Sequence, residues 1–461
     1  APPPPEIYTE RNSSAASDVY KRQMFTYYLR LAWLSIRRNP ILTALMVAAI
    51  GVGIGACTTT LTVYHLMARD PIPQKSDSIY RVLVDSWDPA NPFDEGDQVA
   101  APPFMMTHQD ATALMNSKIP THQAAMYRSA FVVESDNPEI APDTYSARAT
   151  YRGFFEMFDL EFIYGGSWDA AADENGELVV VINRALNEDL FDGEDSVGKD
   201  LKLSGTVFRV AGVVENWNPI PRFYDLNGKF RDSASLVVPF RTAVNLESDI
   251  NGSVSCWKAG DINSFADFLN SECVWIKFWA QLDSPEQHAA YADFLDGYAQ
   301  EQKVLGRFER PIDNRLIDVM DWLEFRKVVS EDNVVLVGLS FLFLLVCLLN
   351  TVGLLLAKFI GGASLAGIRR ALGASRGALF KQHLVEVSVI GLSGGLLGLA
   401  LAALGLKAVR GWFEDFEKIT QLDWTMVAIA LGLSLAASLA AGLYPTWRVC
   451  RIAPARYLKT Q

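Results

Sequence analysis

The chain has 461 residues, of which 50% are hydrophobic, and a formal net charge of −12 at pH 7. The apolar fraction excludes a predominantly disordered chain, and the acidic balance argues against a nucleic-acid-binding protein. The charge is unevenly distributed: residues 68–357 carry 23 basic and 45 acidic side chains, whereas residues 358–461 carry 12 basic and five acidic ones. This asymmetry predicts that the two segments face different compartments.

The amino-terminal segment has two parts of different character. Residues 1–23 are polar and proline-rich, without the apolar stretch of a signal peptide, and we expect a non-native or disordered tail. Residues 24–40 are dominated by apolar and aromatic side chains, with Arg30, Arg37 and Arg38 among them. This pattern predicts a short interfacial helix that contacts membrane lipid on the cytoplasmic side.

Four segments are apolar over the roughly 20 residues that a membrane-spanning helix needs. The four predicted spans are residues 41–67, 334–357, 384–408 and 424–445. The alternative is a set of buried helices in a large soluble protein, but four such runs in one chain favour the membrane interpretation.

Lysine and arginine residues near the spans predict the orientation. The 358–383 loop and the 446–461 tail are basic, which places both in the cytoplasm, whereas the 409–423 loop is acidic and is predicted to be periplasmic. The acidic segment 68–333 then lies outside. The predicted fold class is an α-helical membrane protein with four transmembrane helices and a large α+β periplasmic domain between helices 1 and 2.

The outside segment mixes strand-like and helical patterns. Residues 177–183 are typical of a strand and residues 184–191 of a helix, and Ser204–Gly205 between two strand-like runs indicates a hairpin. Residues 315–329 carry a helical apolar stripe that runs almost to the second span. We expect this helix to form a stalk under the domain, the alternative being two short, kinked helices at the membrane surface.

Two of the five cysteines, Cys256 and Cys273, share the outside compartment, which oxidises thiols in a Gram-negative cell. We expect a disulfide between them, and the alternative is two free thiols too far apart to join. The cysteines and histidines are not spaced as metal ligands, so no metal site is predicted.

No catalytic residues are predicted. Gly193–Lys199 matches the start of a phosphate-binding loop, but Asp200 follows where Ser or Thr should hold magnesium, and the segment runs from helix to strand. The many carboxylates of this acidic segment are interpreted as a solvated surface.

Pairs of glycines four residues apart occur in the apolar spans and predict close helix–helix packing in lipid. These glycines are Gly51, Gly55, Gly391, Gly394, Gly395 and Gly398. Glu386, at the cytoplasmic end of the third span, either pairs with the neighbouring basic segment or reaches the interface alone.

The segment GIRRALGASRG at 367–377 resembles the second-to-third loop of the macrolide-exporter (MacB/FtsX-type) family of ABC transporter permeases. Further matches are the glycine-rich span at 384–398, the motif GLYP at 442–445 and the run at 208–213. Ala366 departs from the family pattern, which usually has an acidic residue at this position.

This resemblance implies a permease subunit that is not itself an enzyme. It implies ATPase activity, with ATP and magnesium, on separate partner subunits, a second copy of this or a related permease, and no cofactor on this chain. One helix over 363–379 would enter a groove of the ATPase. The residues implied to couple to the ATPase are Gly367, Ile368, Arg369, Arg370, Ala371, Leu372, Gly373, Ala374 and Arg376.

The function implied is transmission of ATP-driven motion to the periplasmic domain in the bacterial inner membrane. Export with a periplasmic adaptor and an outer-membrane channel is the leading hypothesis. The alternatives are a lipoprotein-releasing permease of the same architecture and a transmembrane signalling scaffold that controls cell-wall hydrolases. The size of the outside segment disfavours the scaffold.

Overall fold

The computed structural model describes residues 26–94, 101–135, 140–227, 230–258, 260–412 and 424–451, the side chains of 409–412 excepted. These residues form two compact units. The helical unit comprises the described residues up to Leu66 and from Val329 onward, and the sheet domain comprises those from Met67 to Val328.

The helices are numbered in chain order over the described residues. They are α1 (26–38), α2 (Pro40–Met67), α3 (His108–Met115), α4 (Gly153–Met157), α5 (Ala170–Asn175), α6 (Arg184–Phe191), α7 (Phe240–Asn245), α8 (Phe265–Leu269), α9 (Pro285–Val304), α10 (Val319–Phe325), α11 (Glu331–Gly361), α12 (Ala363–Ala371), α13 (Arg376–Trp412) and α14 (Trp424–Cys450).

The strands belong to the sheet domain. They are β1 (Ile79–Leu83), β2 (His122–Glu134), β3 (Asp143–Thr150), β4 (Phe162–Gly165), β5 (Val179–Asn183), β6 (Asp200–Leu203), β7 (Thr206–Val214), β8 (Leu236–Pro239), β9 (Ser255–Cys256), β10 (Cys273–Val274), β11 (Lys277–Gln281) and β12 (Arg315–Asp318).

Four helices of the helical unit, α2, α11, α13 and α14, are long and apolar enough to cross a membrane. This confirms the prediction of four spans with a large domain between the first and second. The helix of α2 begins at Pro40, where the missing N–H costs nothing because a first-turn N–H has no partner within the helix. The spanning segment of α13 ends at Ala408.

The sheet domain is built on one mixed ten-stranded sheet. Its strand order is β12-β1-β11-β2-β3-β8-β5-β7-β4, and β6 pairs with both β2 and β7. Leu114 of α3, Leu186 of α6 and Leu295 of α9 share one buried apolar cluster with Phe208 and Phe278 of the sheet. The sheet and its helices therefore share one main apolar core, which confirms the predicted α+β class.

Local sequence signals account for several elements of this domain. The hairpin predicted at Ser204–Gly205 joins β6 to β7, and both turn residues have positive φ, of 46° and 84°. Ser284 caps α9 by accepting a hydrogen bond from the Gln287 N–H at 3.2 Å, and Pro285 follows in the first turn.

The continuous helix predicted for 315–329 is wrong. Residues Arg315–Asp318 form the edge strand β12, paired antiparallel with β1, and the helix α10 covers only Val319–Phe325. Lys327 then adopts a positive φ of 46° before α11 starts at Glu331. Backbone pairing with β1 therefore outweighs the helical apolar stripe in the first four residues, and no single stalk helix forms over these residues.

The predicted orientation can be tested with two cysteine variants of matched exposure. Val304, at the end of α9, is 79% exposed, and Leu372, between α12 and α13, is 83% exposed. We expect a membrane-impermeant thiol reagent to label Val304→Cys, but not Leu372→Cys, in cells whose inner membrane is intact and accessible to the reagent. Labelling of Leu372→Cys without membrane rupture would contradict the four-span topology.

Candidate functional site

The candidate coupling segment connects α11 to α13. The helix α12 ends at Ala371 with Arg369 and Arg370 in its last turn, where positive charge interacts favourably with the helix dipole. Gly373 has a φ of 101°, a conformation that favours glycine, and it directs the chain out of the helix. Ser375 Oγ then accepts a hydrogen bond from the Ala378 N–H at 3.1 Å at the start of α13.

This geometry corrects the prediction of one helix over 363–379. The segment is a nine-residue helix, a glycine turn and the first turn of α13. The nine residues predicted to couple to an ATPase occupy α12, the turn that follows it and, in the case of Arg376, the first residue of α13.

The tip of this segment exposes apolar side chains. Leu372 is 83% exposed and Ile368 is 49% exposed, and Ala371 and Arg376 are also exposed. Exposed leucines on the spanning helices face lipid, but Leu372 lies outside every span. A large apolar side chain flanked by arginines is typical of a protein–protein contact.

Arg369 points back toward the helical unit rather than outward. It is half-buried, and its guanidinium donates a hydrogen bond to Gln382 Oε1 at 2.7 Å. Gly367, Arg370 and Ala374 are also half-buried. The segment therefore has an outward apolar tip and an inner face fixed to α13.

A buried ion pair lies at the base of this segment. Lys358, in the last turn of α11, is 2.7 Å from Glu386 Oε1 of α13, and neither side chain is more than 2% exposed. Glu386 thus pairs with a basic residue, in agreement with the first of the two interpretations left open by the sequence.

Three further groups surround this pair. Lys358 Nζ also donates to Thr43 Oγ1 of α2 at 3.1 Å, and Ser35 of α1 donates to Glu386 Oε1 at 2.5 Å. His383 Nδ1 lies 3.4 Å from Glu386 Oε2. The network joins α1, α2, α11 and α13, and Ser35 and Thr43 are participants that no local sequence signal identified.

Four of the predicted packing glycines lie where α2 meets α13. A Cβ on Gly394 would be 2.6 Å from Ile50 Cγ2, and one on Gly398 would be 2.8 Å from Ile54 Cγ2. On the α2 side, a Cβ on Gly51 would be 2.8 Å from Leu397 of α13, and one on Gly55 would be 3.0 Å from Leu401 of α13. No larger residue fits at these positions without movement of its neighbours.

The other two glycines lie where α13 meets α14. A Cβ on Gly391 would overlap Ser438, and one on Gly395 would overlap Ser434. Both serines donate to carbonyls of their own helix at 2.9 Å, so they are satisfied without a partner on α13. Small residues on both helices therefore allow close approach.

Cys256 and Cys273 form a disulfide, with an S–S distance of 2.04 Å. They are directly opposite each other in the two-stranded sheet of β9 and β10. The predicted pairing is confirmed.

Removal of this disulfide is expected to destabilise the sheet domain. The bridge joins residues 17 apart in sequence, a separation for which the chain-entropy model gives about 3 kcal/mol. We expect the double variant Cys256→Ala/Cys273→Ala to lower the urea midpoint of tryptophan fluorescence in the detergent-solubilised full chain. Reduced wild-type protein should show the same decrease, and identical midpoints for oxidised and reduced wild type would contradict a structural role.

A second buried charged cluster lies in the sheet domain, and the sequence analysis missed it. Asp225 is fully buried and accepts from Arg148 of β3 at 2.6 Å and from Lys277 of β11. Burial alone would raise the pKa of Asp225, but the charges of Arg148, Lys277 and Arg222 together hold it well below its usual range. Burial also lowers the pKa of Lys277 to about 8, despite the nearby Asp225.

Arg81 completes this cluster. Burial lowers its pKa to about 9, and its guanidinium carbon lies 5.5 Å from the ring centre of Trp279 and 5.2 Å from that of Trp322. The interaction of a cation with these rings partly offsets the cost of its desolvation. The cluster fixes the loop after β7 against the sheet, which is a structural role. Among the described residues, no group of three or more His, Cys, Asp or Glu side chains could hold a metal ion.

Two models of known protein families match this chain. The model of the MacB-like periplasmic core domain matches residues 43–295, and that of the FtsX-like permease C-terminal domain matches residues 337–454. Four spans with a large extracytoplasmic α+β domain between the first and second define a class of ABC transporter permease. The chain belongs to the MacB/FtsX-type family of these permeases.

Individual relatives are distant. The chain is 24% identical over 317 residues to the ABC transporter permease YvrN of Bacillus subtilis, covering 66% of this chain and 68% of that protein. It is 21% identical over 381 residues to the macrolide export ATP-binding/permease protein MacB of Syntrophobacter fumaroxidans, covering 76% of this chain and 52% of that protein. The chain thus spans about half the length of that MacB. The name of that protein describes both an ATP-binding part and a permease part.

A solved structure of the periplasmic region of MacB from Actinobacillus actinomycetemcomitans is also similar. It is 14% identical, with a TM-score of 0.35, and the match covers 56% of this chain and 96% of that one.

Proposed function

We propose that this chain is the permease subunit of an ABC transporter of the bacterial inner membrane. In this proposal ATP hydrolysis on cytoplasmic ATPase subunits moves α12, and the motion reaches the periplasmic sheet domain through the spanning helices. ATP and Mg²⁺ bind the ATPase partner, which is a separate chain, and a second permease copy or a related permease completes the assembly.

The observation that carries this proposal is the exposed tip of the coupling segment. Leu372, at 83% exposure, lies outside the candidate spans and near Arg376, and the described residues of this chain leave it uncovered. An ATPase subunit that buries Leu372 removes this apolar surface from water. When the ATPase displaces α12, the ion-pair network around Lys358 and Glu386 transmits the displacement of α12 to α11 and α13.

The composition of the spans supports motion rather than a hydrophilic pathway. The described spans are strongly apolar, with mean hydropathies of 2.1 to 2.6. Several of their hydroxyls are bonded to their own helices, as in the bonds from Thr351 to the Cys347 carbonyl at 2.8 Å and from Ser434 to the Leu431 carbonyl at 2.9 Å. The sheet domain lies between α2 and α11 in sequence, so each of its ends is covalently attached to a spanning helix. We propose export of a substrate on the periplasmic side, together with an adaptor and an outer-membrane channel, and the likeness to a protein named for macrolide export supports the export part of this proposal.

The proposal is tested by purifying the tagged full chain from the membranes of the cell that encodes it. We expect Mg²⁺-dependent ATP hydrolysis to elute with the chain, and mass spectrometry to identify a P-loop ATPase in the same fraction. An unrelated four-span membrane protein purified in parallel gives the background. Hydrolysis no higher than this background would contradict the proposal.

A further inference from the structure

A cavity of about 400 Å³ lies within the helical unit, at the level of the Lys358–Glu386 pair. It is bounded by α1, the start of α2, the end of α11, α12 and the start of α13. These are the elements that the buried ion-pair network joins, and the cavity lies beside that network.

The walls of the cavity combine apolar and cationic groups. Leu31 and Leu34 of α1 and Leu42 of α2 supply apolar surface, whereas Arg38 and Arg369 supply positive charge. Lys358 also lines the cavity, but Glu386 neutralises it at 2.7 Å. The two arginines therefore give the cavity a net positive charge.

Neither arginine has a carboxylate partner among the described residues. Arg38 is exposed and has no polar side-chain contact there, and Arg369 donates to the neutral amide oxygen of Gln382. Two unneutralised guanidinium groups beside leucines suit an anionic headgroup with a hydrocarbon tail.

The surroundings of the cavity select a lipid over a free anion. The helix α1 exposes Tyr27, Trp33 and Leu34 at 51%, 55% and 55%, as expected for a helix lying in the membrane interface. The basic segments on this side place it at the cytoplasmic leaflet, which carries anionic lipid. A free phosphate would use the arginines but leave the leucine wall uncovered.

We propose that this cavity binds one anionic phospholipid of the cytoplasmic leaflet. Its phosphate lies between Arg38 and Arg369, and its acyl chain packs against Leu31, Leu34 and Leu42. The bound lipid links the interfacial helix α1 to the coupling helix α12. This site does not depend on the identity of the ATPase or of the transported substrate.

The test is lipid titration of the purified full chain, followed by native mass spectrometry. The probes are phosphatidylglycerol and phosphatidylcholine with identical acyl chains. We expect tighter binding of phosphatidylglycerol, and about fivefold weaker binding in Arg38→Gln and in Arg369→Gln, from the roughly 1 kcal/mol that each basic residue contributes near a membrane.

The matched control is Arg37→Gln. Arg37 is adjacent to Arg38 and also exposed, but its guanidinium carbon lies 5.2 Å from the ring centre of Trp33, and it does not line the cavity. We expect this variant to bind as the wild type does. Equal loss in Arg37→Gln would indicate diffuse attraction to the surface, and equal binding of the two lipids would indicate a merely apolar groove.

Inorganic phosphate provides the final arm of the test. We expect millimolar phosphate to leave phosphatidylglycerol bound, because it cannot replace the acyl chain. Displacement by phosphate alone would identify a free-anion site. Any one of these three contrary results would overturn the proposal, and each can be read without measuring ATP hydrolysis.

Discussion

Replacement of Leu372 by Asp is expected to reduce the ATP hydrolysis that co-purifies with the chain at least tenfold. Leu372 is 83% exposed at the tip of the coupling segment. Burial of a leucine in an interface contributes about 1.5–3 kcal/mol, and an unpaired carboxylate buried in its place adds a desolvation cost. The measurement compares Mg²⁺-dependent hydrolysis per mole of purified chain for variant and wild type.

The control for this variant is Leu305→Asp. Leu305 follows α9 in the sheet domain and is 71% exposed, so the same chemical change occurs at a similar exposure on the other side of the membrane. We expect its co-purified hydrolysis to equal that of the wild type. If Leu372→Asp retained full hydrolysis while the wild type exceeded background, the coupling role of α12 would have to be abandoned.

Replacement of Lys358 by Met is expected to destabilise the helical unit by about 3–5 kcal/mol, because it leaves Glu386 buried without its partner. Glu386→Gln alone removes the charge but retains an oxygen that can accept from Ser35. The double variant has no unpaired charge, so we expect it to be more stable than Lys358→Met. The measurement is the SDS concentration at which half of the detergent-solubilised chain unfolds.

Additive effects of the two substitutions would contradict a coupled ion pair. The control is Lys303→Met at the end of α9, whose side chain donates to the Arg310 carbonyl at 2.8 Å rather than to a carboxylate. We expect this variant to leave the SDS midpoint of the helical unit unchanged.

The four spans could be predicted because each is a long apolar run, and the only charged residues within them, Glu386 and Lys407, lie near the ends of the third. The disulfide could be predicted because topology left two cysteines in one oxidising compartment. The pattern at 315–329 failed because Arg315–Asp318 complete the sheet by pairing with β1, a contact more than 200 residues away in sequence. The turn between α12 and α13 was signalled by Gly373, although the segment between the two spans is short enough for one helix.

The buried charged groups show what the sequence pattern does not reveal. Arg148 and Asp225 are 77 residues apart, and Lys277 follows Asp225 by 52 residues. Their immediate neighbours in sequence carry no opposite charge, so only the folded sheet brings them together. The same holds for Ser35, which meets Glu386 across 351 residues.

The most direct test of the coupling account is photocrosslinking from position 372. A benzophenone amino acid replaces Leu372 in the full chain, and native membranes are irradiated during turnover of ATP. We predict a covalent adduct with an ATP-binding polypeptide at position 372 and none from the same probe at Val304, which is 79% exposed in the sheet domain. Absence of that adduct at position 372, or equal yield at both positions, would contradict the assignment of α12 as the contact between permease and ATPase.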